Sequence, residues 1–313
     1  MNNIKAMPLP TSRKDLFNRL VKGELILNPL WEKPLYRKKF LLRSYFAYPK
    51  TLTWLDHLYQ YHLLPYYLSR QTNLPCKLQR PYLSSCISQK EALDALIFHY
   101  DFLEQQPDAV TQAFYDDQPY RLADITGKAE ATFYVELQST DKFSREGELT
   151  LSIFNQDNIS LANLTFSIIS YQNKPTLFIA GLQGANVVDS RQVIQQATKA
   201  CFGLFPKRLV IEVAQLIASH FSLQQIIAVS NSTHIYNNWR YRRRHKHVHS
   251  DYDEFWLTLD GQQDKRQLFV LPLVTQRKAL EDIASKKRSE YRSRYALLDA
   301  LAENVSGQLS TLK

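Results

Sequence analysis

Thr132-Phe133-Tyr134-Val135-Glu136-Leu137, Leu149-Thr150-Leu151-Ser152-Ile153 and Ala162-Asn163-Leu164-Thr165-Phe166-Ser167-Ile168 decide the architecture. In each stretch apolar and polar residues alternate, which in a strand sends them to opposite faces and makes a half-buried sheet. The connections Gln156-Asp157-Asn158 and Gln172-Asn173-Lys174 are short and turn-forming, so the strands should run antiparallel as a meander. Residues 176–182 are more evenly apolar and are expected at the centre of the sheet.

Helical spacing lies on both sides of this block. Before it, Ser88-Gln89-Lys90-Glu91 can form a capping box, followed by an apolar side of Ala92, Leu93, Ala95, Leu96, Phe98 and Phe102. Upstream, aromatic and leucine residues crowd 52–64 until Pro65 interrupts them. After the block, Val193, Ile194, Ala197 and Cys201 share a helical side that Gly203 can end, and Pro206 suits the first position of the next helix. Gln225–Ser230 reads as a buried strand. Residues 255–259 and 268–271, around Asp260-Gly261, read as a further hairpin. The last forty residues form one helix candidate, held by Leu298, Leu301 and Val305, with Leu309 extending the contact. The expected fold class is α/β (α+β), a mixed, largely antiparallel sheet with packed helices. It divides into an aromatic-rich helical region (1–125), a mixed-sheet body (126–275) and a basic C-terminal helix (276–313).

Composition narrows the classes. The 313 residues are 44% hydrophobic and 22% charged, as in ordinary globular proteins. Cys76, Cys86 and Cys201 are an odd number without CxxC spacing, which argues against a disulfide framework or a cysteine zinc site. The first residues lack a secretory apolar core, and no stretch is apolar enough to span a bilayer, so a cytoplasmic protein is expected, with peripheral contact to the inner membrane left open. The net charge of +9 is unevenly spread: residues 101–232 carry 9 basic and 14 acidic groups, whereas residues 1–100 carry 15 and 6. Either the acidic middle packs against the basic ends, or those ends meet an anionic partner. GxSxG, Walker, GxGxxG and HExxH patterns are absent, against the corresponding hydrolase, NTPase, dinucleotide and zincin classes.

Leu182-Gln183-Gly184, Gly203-Leu204-Phe205-Pro206-Lys207, Tyr252-Asp253-Glu254-Phe255-Trp256 and Lys286-Lys287-Arg288 with Tyr291-Arg292 and Arg294-Tyr295 stand in that order. The ordered set resembles the VirK/YbjX family of proteobacterial proteins. The resemblance implies an association with virulence, envelope integrity and survival of cationic antimicrobial peptides, and carries over no catalytic residue. The chain departs from the family pattern at Phe205, where an Arg often precedes Pro-Lys, and at Asp260-Gly261, where two glycines are usual.

Candidate chemistry centres on anions. Lys207 and Arg208 stand at a helix start, where unpaired amides and the helix dipole favour a phosphate. The order of meander, helix, strand and hairpin resembles the GNAT acyltransferase fold, in which a strand-to-helix turn cradles the pyrophosphate of acyl-CoA. The expected Q/R-x-x-G-x-G/A loop is poorly matched by Gly181-Leu182-Gln183-Gly184-Ala185. If acyl transfer occurs, Glu136 or Asp253 can deprotonate an amine and Tyr252 or Tyr236 can protonate the thiolate, with acyl-CoA as cofactor. In the terminal helix Lys286, Lys287, Arg288, Arg292 and Arg294 cover more than half the circumference, so Lys287 and Arg294, beside Leu298, are expected to point inward. Arg240, Arg242, Arg243 and Arg244 form the densest basic surface, suited to lipid headgroups or phosphorylated small molecules. No nucleic-acid module accompanies them. His245, His247 and His249 alternate as zinc ligands would, but the cations around them oppose a dication, and no metal site is assigned.

Overall fold

A computed structural model describes residues 4–241 and 251–313. The N-terminal part is built of short helices: α1 (Arg13–Lys22), α2 (Pro29–Glu32), α3 (Pro34–Leu42), α4 (Lys50–Leu58), α5 (Leu64–Arg70), α6 (Gln89–Glu104) and α7 (Asp108–Phe114). Pro65 does not end a helix; it sits in the first turn of α5, where its missing N–H has no intrahelical partner to lose. The capping box at Ser88 and Glu91 starts α6 as expected, each side chain taking the other's backbone N–H.

The meander follows: β1 (Tyr120–Thr126), β2 (Thr132–Gln138), β3 (Leu149–Asn155), β4 (Ser160–Tyr171) and β5 (Lys174–Gly184). The sheet therefore begins at Tyr120, before the change of period at about 125, because β1 pairs antiparallel with β2. Helices α8 (Ser190–Ala200) and α9 (Pro206–His220) then carry the chain over to β6 (Gln225–Ala228), which lies parallel to β5. Residues 255–259 are not a strand. Asp251 caps helix α10 (Tyr252–Leu257) by accepting the Glu254 N–H, and Asp253 and Glu254 complement the positive helix start. The hairpin is instead β7 (Gln262–Gln263) with β8 (Phe269–Leu271), and α11 (Ser285–Ser310) closes the chain. Among the described residues eight strands form the sheet in the order β1-β2-β3-β4-β5-β6-β8-β7, with β5 central.

Period-two alternation gives the sheet unlike faces. Val135, Leu151, Leu164 and Leu182 line one, which α9 covers: Lys207 of α9 lies against Gly184, next but one to Leu182. Leu209, Val210, Val213 and Ile217 of α9 are buried, and α11 packs beside it over β1 with Leu298, Leu301, Val305 and Leu309 buried. The N-terminal helices cover part of the other face. There Tyr82 and Tyr100 donate to the Glu148 carboxylate at 2.6 and 2.5 Å, and Lys77 forms an ion pair with it. The buried apolar cluster runs from Leu16 to Leu312. At about 25 cal/mol per Å² of apolar surface removed from water, burial of this kind dominates the stability of the fold.

Candidate functional site

The rest of the second face is polar. Strand register places Glu136 beside Ser152, Ser152 beside Asn163, and Asn163 beside Gln183, a polar row crossing β2 to β5. Arg121 closes its outer end, with its guanidinium 3.7 Å from the centre of the Tyr134 ring and 3.1 Å from Glu136. At the inner end the Gln183 amide donates to both Glu146 carboxyl oxygens at 3.2 Å. Gly181 makes room for this carboxyl: a Cβ at that position would collide with Glu146 Oε2.

The inner end lies where the only parallel pair among the described strands separates. β5 and β6 pair from Thr176/Gln225 to Ile179/Ala228, and the Val229 N–H donates to the Ile179 carbonyl at 3.0 Å. Beyond this point β5 runs on to Gly184 without β6 beside it. A bulge coincides with the parting: Thr165 faces Gly181 but Phe166 faces Ile179, so Ala180 is the extra residue. An extra residue reverses which edge the following amides address. The Leu182 N–H accordingly points into the gap, where the Tyr252 hydroxyl accepts it at 3.2 Å. Trp256, one turn on in α10, donates to the Val229 carbonyl at 2.7 Å, so this helix bridges the two diverging strands.

His234 joins the group. Its Nδ1 accepts the Tyr236 N–H at 3.3 Å, which puts the proton of a neutral ring on Nε2, 3.7 Å from Glu146 Oε1. The imidazole stacks on the Tyr252 ring, 5.3 Å between centroids and 20° between planes, and Tyr236 lies 5.2 Å away. Burial pushes the Glu146 carboxyl up to about 8, against the lowering effect of the Gln183 amide. Burial likewise raises the Tyr252 phenol far above its ordinary value, with the Glu146 charge adding to the effect, so Tyr252 stays protonated. The cluster therefore holds an acid that titrates near neutrality beside a phenol that does not. Such a pair can take up one proton and deliver another.

The residues expected from the sequence are distributed as follows. Tyr252 and Tyr236 are in the cluster, and Glu136 is at the far end of the same polar row. Asp253 accepts the Asn231 N–H at 2.7 Å, holding the loop before α10. Lys207 is half-buried beside Gly184, where burial lowers its proton affinity. Arg208 pairs with Glu212 of its own helix at 2.8 Å. In α11, Arg294 turns inward and donates to the Phe202 carbonyl at 2.8 Å, beside the turn that leads into α9. Arg288 is likewise occupied, by the carbonyls of Ile283 and Glu281. Lys287 is exposed rather than inward, as are Lys286 and Arg292, because the buried residues of α11 begin only at Leu297. Arg240 reaches the Tyr48 hydroxyl at 2.6 Å. Arg242, Arg243, Arg244, His245, His247 and His249 lie outside the described residues.

Glu146, Gln183 and His234 had not been singled out. A signal was present in Glu146-Gly147-Glu148, two acids at strand period just before the apolar run of β3. A cavity of about 670 Å³ near Asn28, Thr72 and Asp117 contains none of the groups of this cluster.

Comparison with known proteins agrees with the ordered motifs. Residues 29–307 match the family described as "Protein of unknown function (DUF535)". The chain is 42% identical over 296 residues to "Uncharacterized protein YbjX" of Escherichia coli (strain K12), covering 94% of this chain and 90% of that protein. It belongs to the VirK/YbjX family. A Haemophilus influenzae relative is 30% identical over 219 residues, 70% of this chain and 71% of its own length. No described helix is long and apolar enough to cross a membrane.

Proposed function

We propose that this VirK/YbjX-family chain is an acyl-CoA-dependent N-acyltransferase of GNAT-like architecture, acting in envelope homeostasis. The observation that carries the reading is the parting of β5 from β6 with Glu146 and Tyr252 at the parting point. A strand edge that its neighbouring strand has left binds extended amide-bearing chains by backbone hydrogen bonds, and the pantetheine arm of coenzyme A is such a chain; here the Leu182 N–H on that edge is held by the Tyr252 hydroxyl. The start of α9 faces the same end of β5. The positive end of the α9 dipole lies there, with Lys207 beside Gly184 as the neighbouring cation.

Glu146 accepts a proton from the attacking amine as the N–C bond forms. The Tyr252 hydroxyl, which accepts from Leu182 and keeps its own hydrogen, donates that hydrogen to the departing thiolate as the C–S bond breaks. The polar row from Gln183 to Glu136 gives the acceptor hydrogen-bonding partners across the sheet. Non-enzymatic docking of an anionic lipid, nucleic acid or acidic protein through the basic segments is the competing reading. It leaves unexplained a buried carboxyl that, among the described residues, has no cationic partner within salt-bridge range apart from the imidazole.

Native mass spectrometry and thermal shift with acetyl-CoA and longer acyl-CoAs test the proposal. At a ligand concentration of about 100 Kd the folded state gains about 2.7 kcal/mol, a clear rise in midpoint. Glu146→Gln should keep that shift and lose about 100-fold or more in acyl transfer to an amine. No shift with any acyl-CoA overturns the reading.

A further inference from the structure

The segment from Pro34 through a π-helical turn at Arg43–Ala47 has apolar residues on both sides. Its inner side is anchored: Phe40 is buried, the Ser44 hydroxyl donates to the Phe40 carbonyl at 2.7 Å, and Gln79 donates to Ser44 at 3.1 Å. Arg37 also turns inward, capping the carbonyls of Val21, Trp31 and Glu32. The outer side has no such contacts among the described residues. Phe46 is 83% exposed, Leu35 65% and Leu42 56%. Leu35 and Leu42 lie at i and i+7, about 20° apart on the α-helix surface, and Phe46 follows on the π-helical turn. Exposed Lys38, Lys39 and Arg43 flank these three and form no ion pair among the described residues. From Lys33 to Leu55 the sequence contains no Asp or Glu.

We infer that this outer ridge is a docking surface for the headgroup region of an anionic phospholipid bilayer. Leu and Phe side chains at the crest, with Lys and Arg at the flanks, match a surface that is apolar a few ångströms down and negative at the top. Long lysine stems can lie along the apolar crest while their ammonium groups reach phosphate. A protein partner fits less well, because the cores of protein interfaces are depleted in lysine. Nucleic acid would leave Leu35 and Leu42 without benefit. The inference is independent of the acyltransferase reading, since none of these residues belongs to the cluster at Glu146.

The test is cosedimentation of the full chain with vesicles of phosphatidylethanolamine and phosphatidylglycerol, compared with phosphatidylcholine alone. Binding is expected to the anionic vesicles, weakened by added salt. Each of Lys38→Gln, Lys39→Gln and Arg43→Gln should weaken it about fivefold, and the triple variant about 100-fold. Phe46→Ser should weaken it about tenfold. The triple variant Lys286→Gln, Lys287→Gln, Arg292→Gln on α11 should bind as the parent does. All altered positions are exposed, and unchanged thermal midpoints establish that each variant is folded. Absence of anionic preference, loss through the α11 variant alone, or insensitivity to the ridge variants overturns the inference. So does a dimer that Phe46→Ser dissociates in a chain without vesicle affinity, which would make the ridge a self-association face.

Discussion

Glu146 and Glu148 are two residues apart, both fully buried and on one side of the sheet, yet their surroundings push them in opposite directions. Around Glu148 are the Lys77 ammonium and the hydroxyls of Tyr82 and Tyr100. Burial alone would raise this carboxyl, but the Lys77 charge and these donors outweigh it and hold Glu148 below its ordinary value. Among the described residues Glu146 has the Gln183 amide and the edge of the His234 imidazole, and burial prevails. Counting donors explains the contrast: one carboxylate is a fixed charge that ties the N-terminal helices to the sheet, and the other is free to change its protonation near neutral pH.

The comparison breaks most severely if the Lys77 charge is removed. Lys77→Met leaves Glu148 buried without its cationic partner, and should destabilise the fold by about 3–5 kcal/mol in urea titrations. Restoring apolar balance with Glu148→Leu in the same chain should recover much of this loss, since a well-packed apolar pair often equals a buried ion pair. If the single variant costs under about 1 kcal/mol, Lys77 is not the partner that fixes the Glu148 charge.

Glu146 gives the next effect, and its sign is opposite to that of a salt-bridged acid. Its folded value lies above the unfolded one, so the native state binds the extra proton. The stabilisation is complete below the ordinary carboxylate range and is lost as pH rises through about 8. Since each tenfold change in proton affinity is worth about 1.4 kcal/mol, the upper limit is about 4–5 kcal/mol between pH 4 and pH 9. Glu146→Gln carries the neutral amide at every pH. Its stability should exceed that of the parent at pH 9 and lack this slope; equal slopes in the two chains would place the titration elsewhere.

Gly181→Ala sharpens the same point. A methyl group there meets Glu146 Oε2, so either the carboxyl leaves Gln183 or the strand shifts. A cost of about 1–3 kcal/mol is expected from overpacking. Combined with Glu146→Ala, which opens the space, the cost of Gly181→Ala should shrink, a coupling that a double-mutant cycle measures directly.

Much of the fold was legible because it rests on local periodicity. The alternation in β2, β3 and β4, the capping box at Ser88 and the proline that opens α9 each carry their reason within a few residues. Helix α10 was misread because Phe255, Trp256 and Leu257 are as suited to a strand as to a helix. The deciding contacts, Asp251 to Glu254 and Trp256 to Val229, include one that only the fold brings together. The site was legible only in part for the same reason. Tyr252 and Glu136 stand out by residue type, whereas Glu146 acquires its character from Gly181, Gln183 and His234, up to 88 positions away along the chain. The inward turn of Arg294 followed from the position of Leu298 on α11, but the same reasoning misplaced Lys287, since the buried residues of α11 begin only at Leu297.

The smallest stability effect belongs to Tyr252, and it separates structure from chemistry. Tyr252→Phe keeps the ring stacked on His234 and removes only the acceptor for the Leu182 N–H. One neutral buried hydrogen bond is worth about 1 kcal/mol, so the midpoint in urea should move slightly. Acyl transfer would respond differently: loss of the Tyr252 phenolic proton should cost about 100-fold in turnover with acyl-CoA affinity retained. If affinity falls and turnover at saturation does not, Tyr252 positions the strand edge and the proton comes from another group, of which Tyr236, 5.2 Å from His234, is the nearest phenol in the cluster.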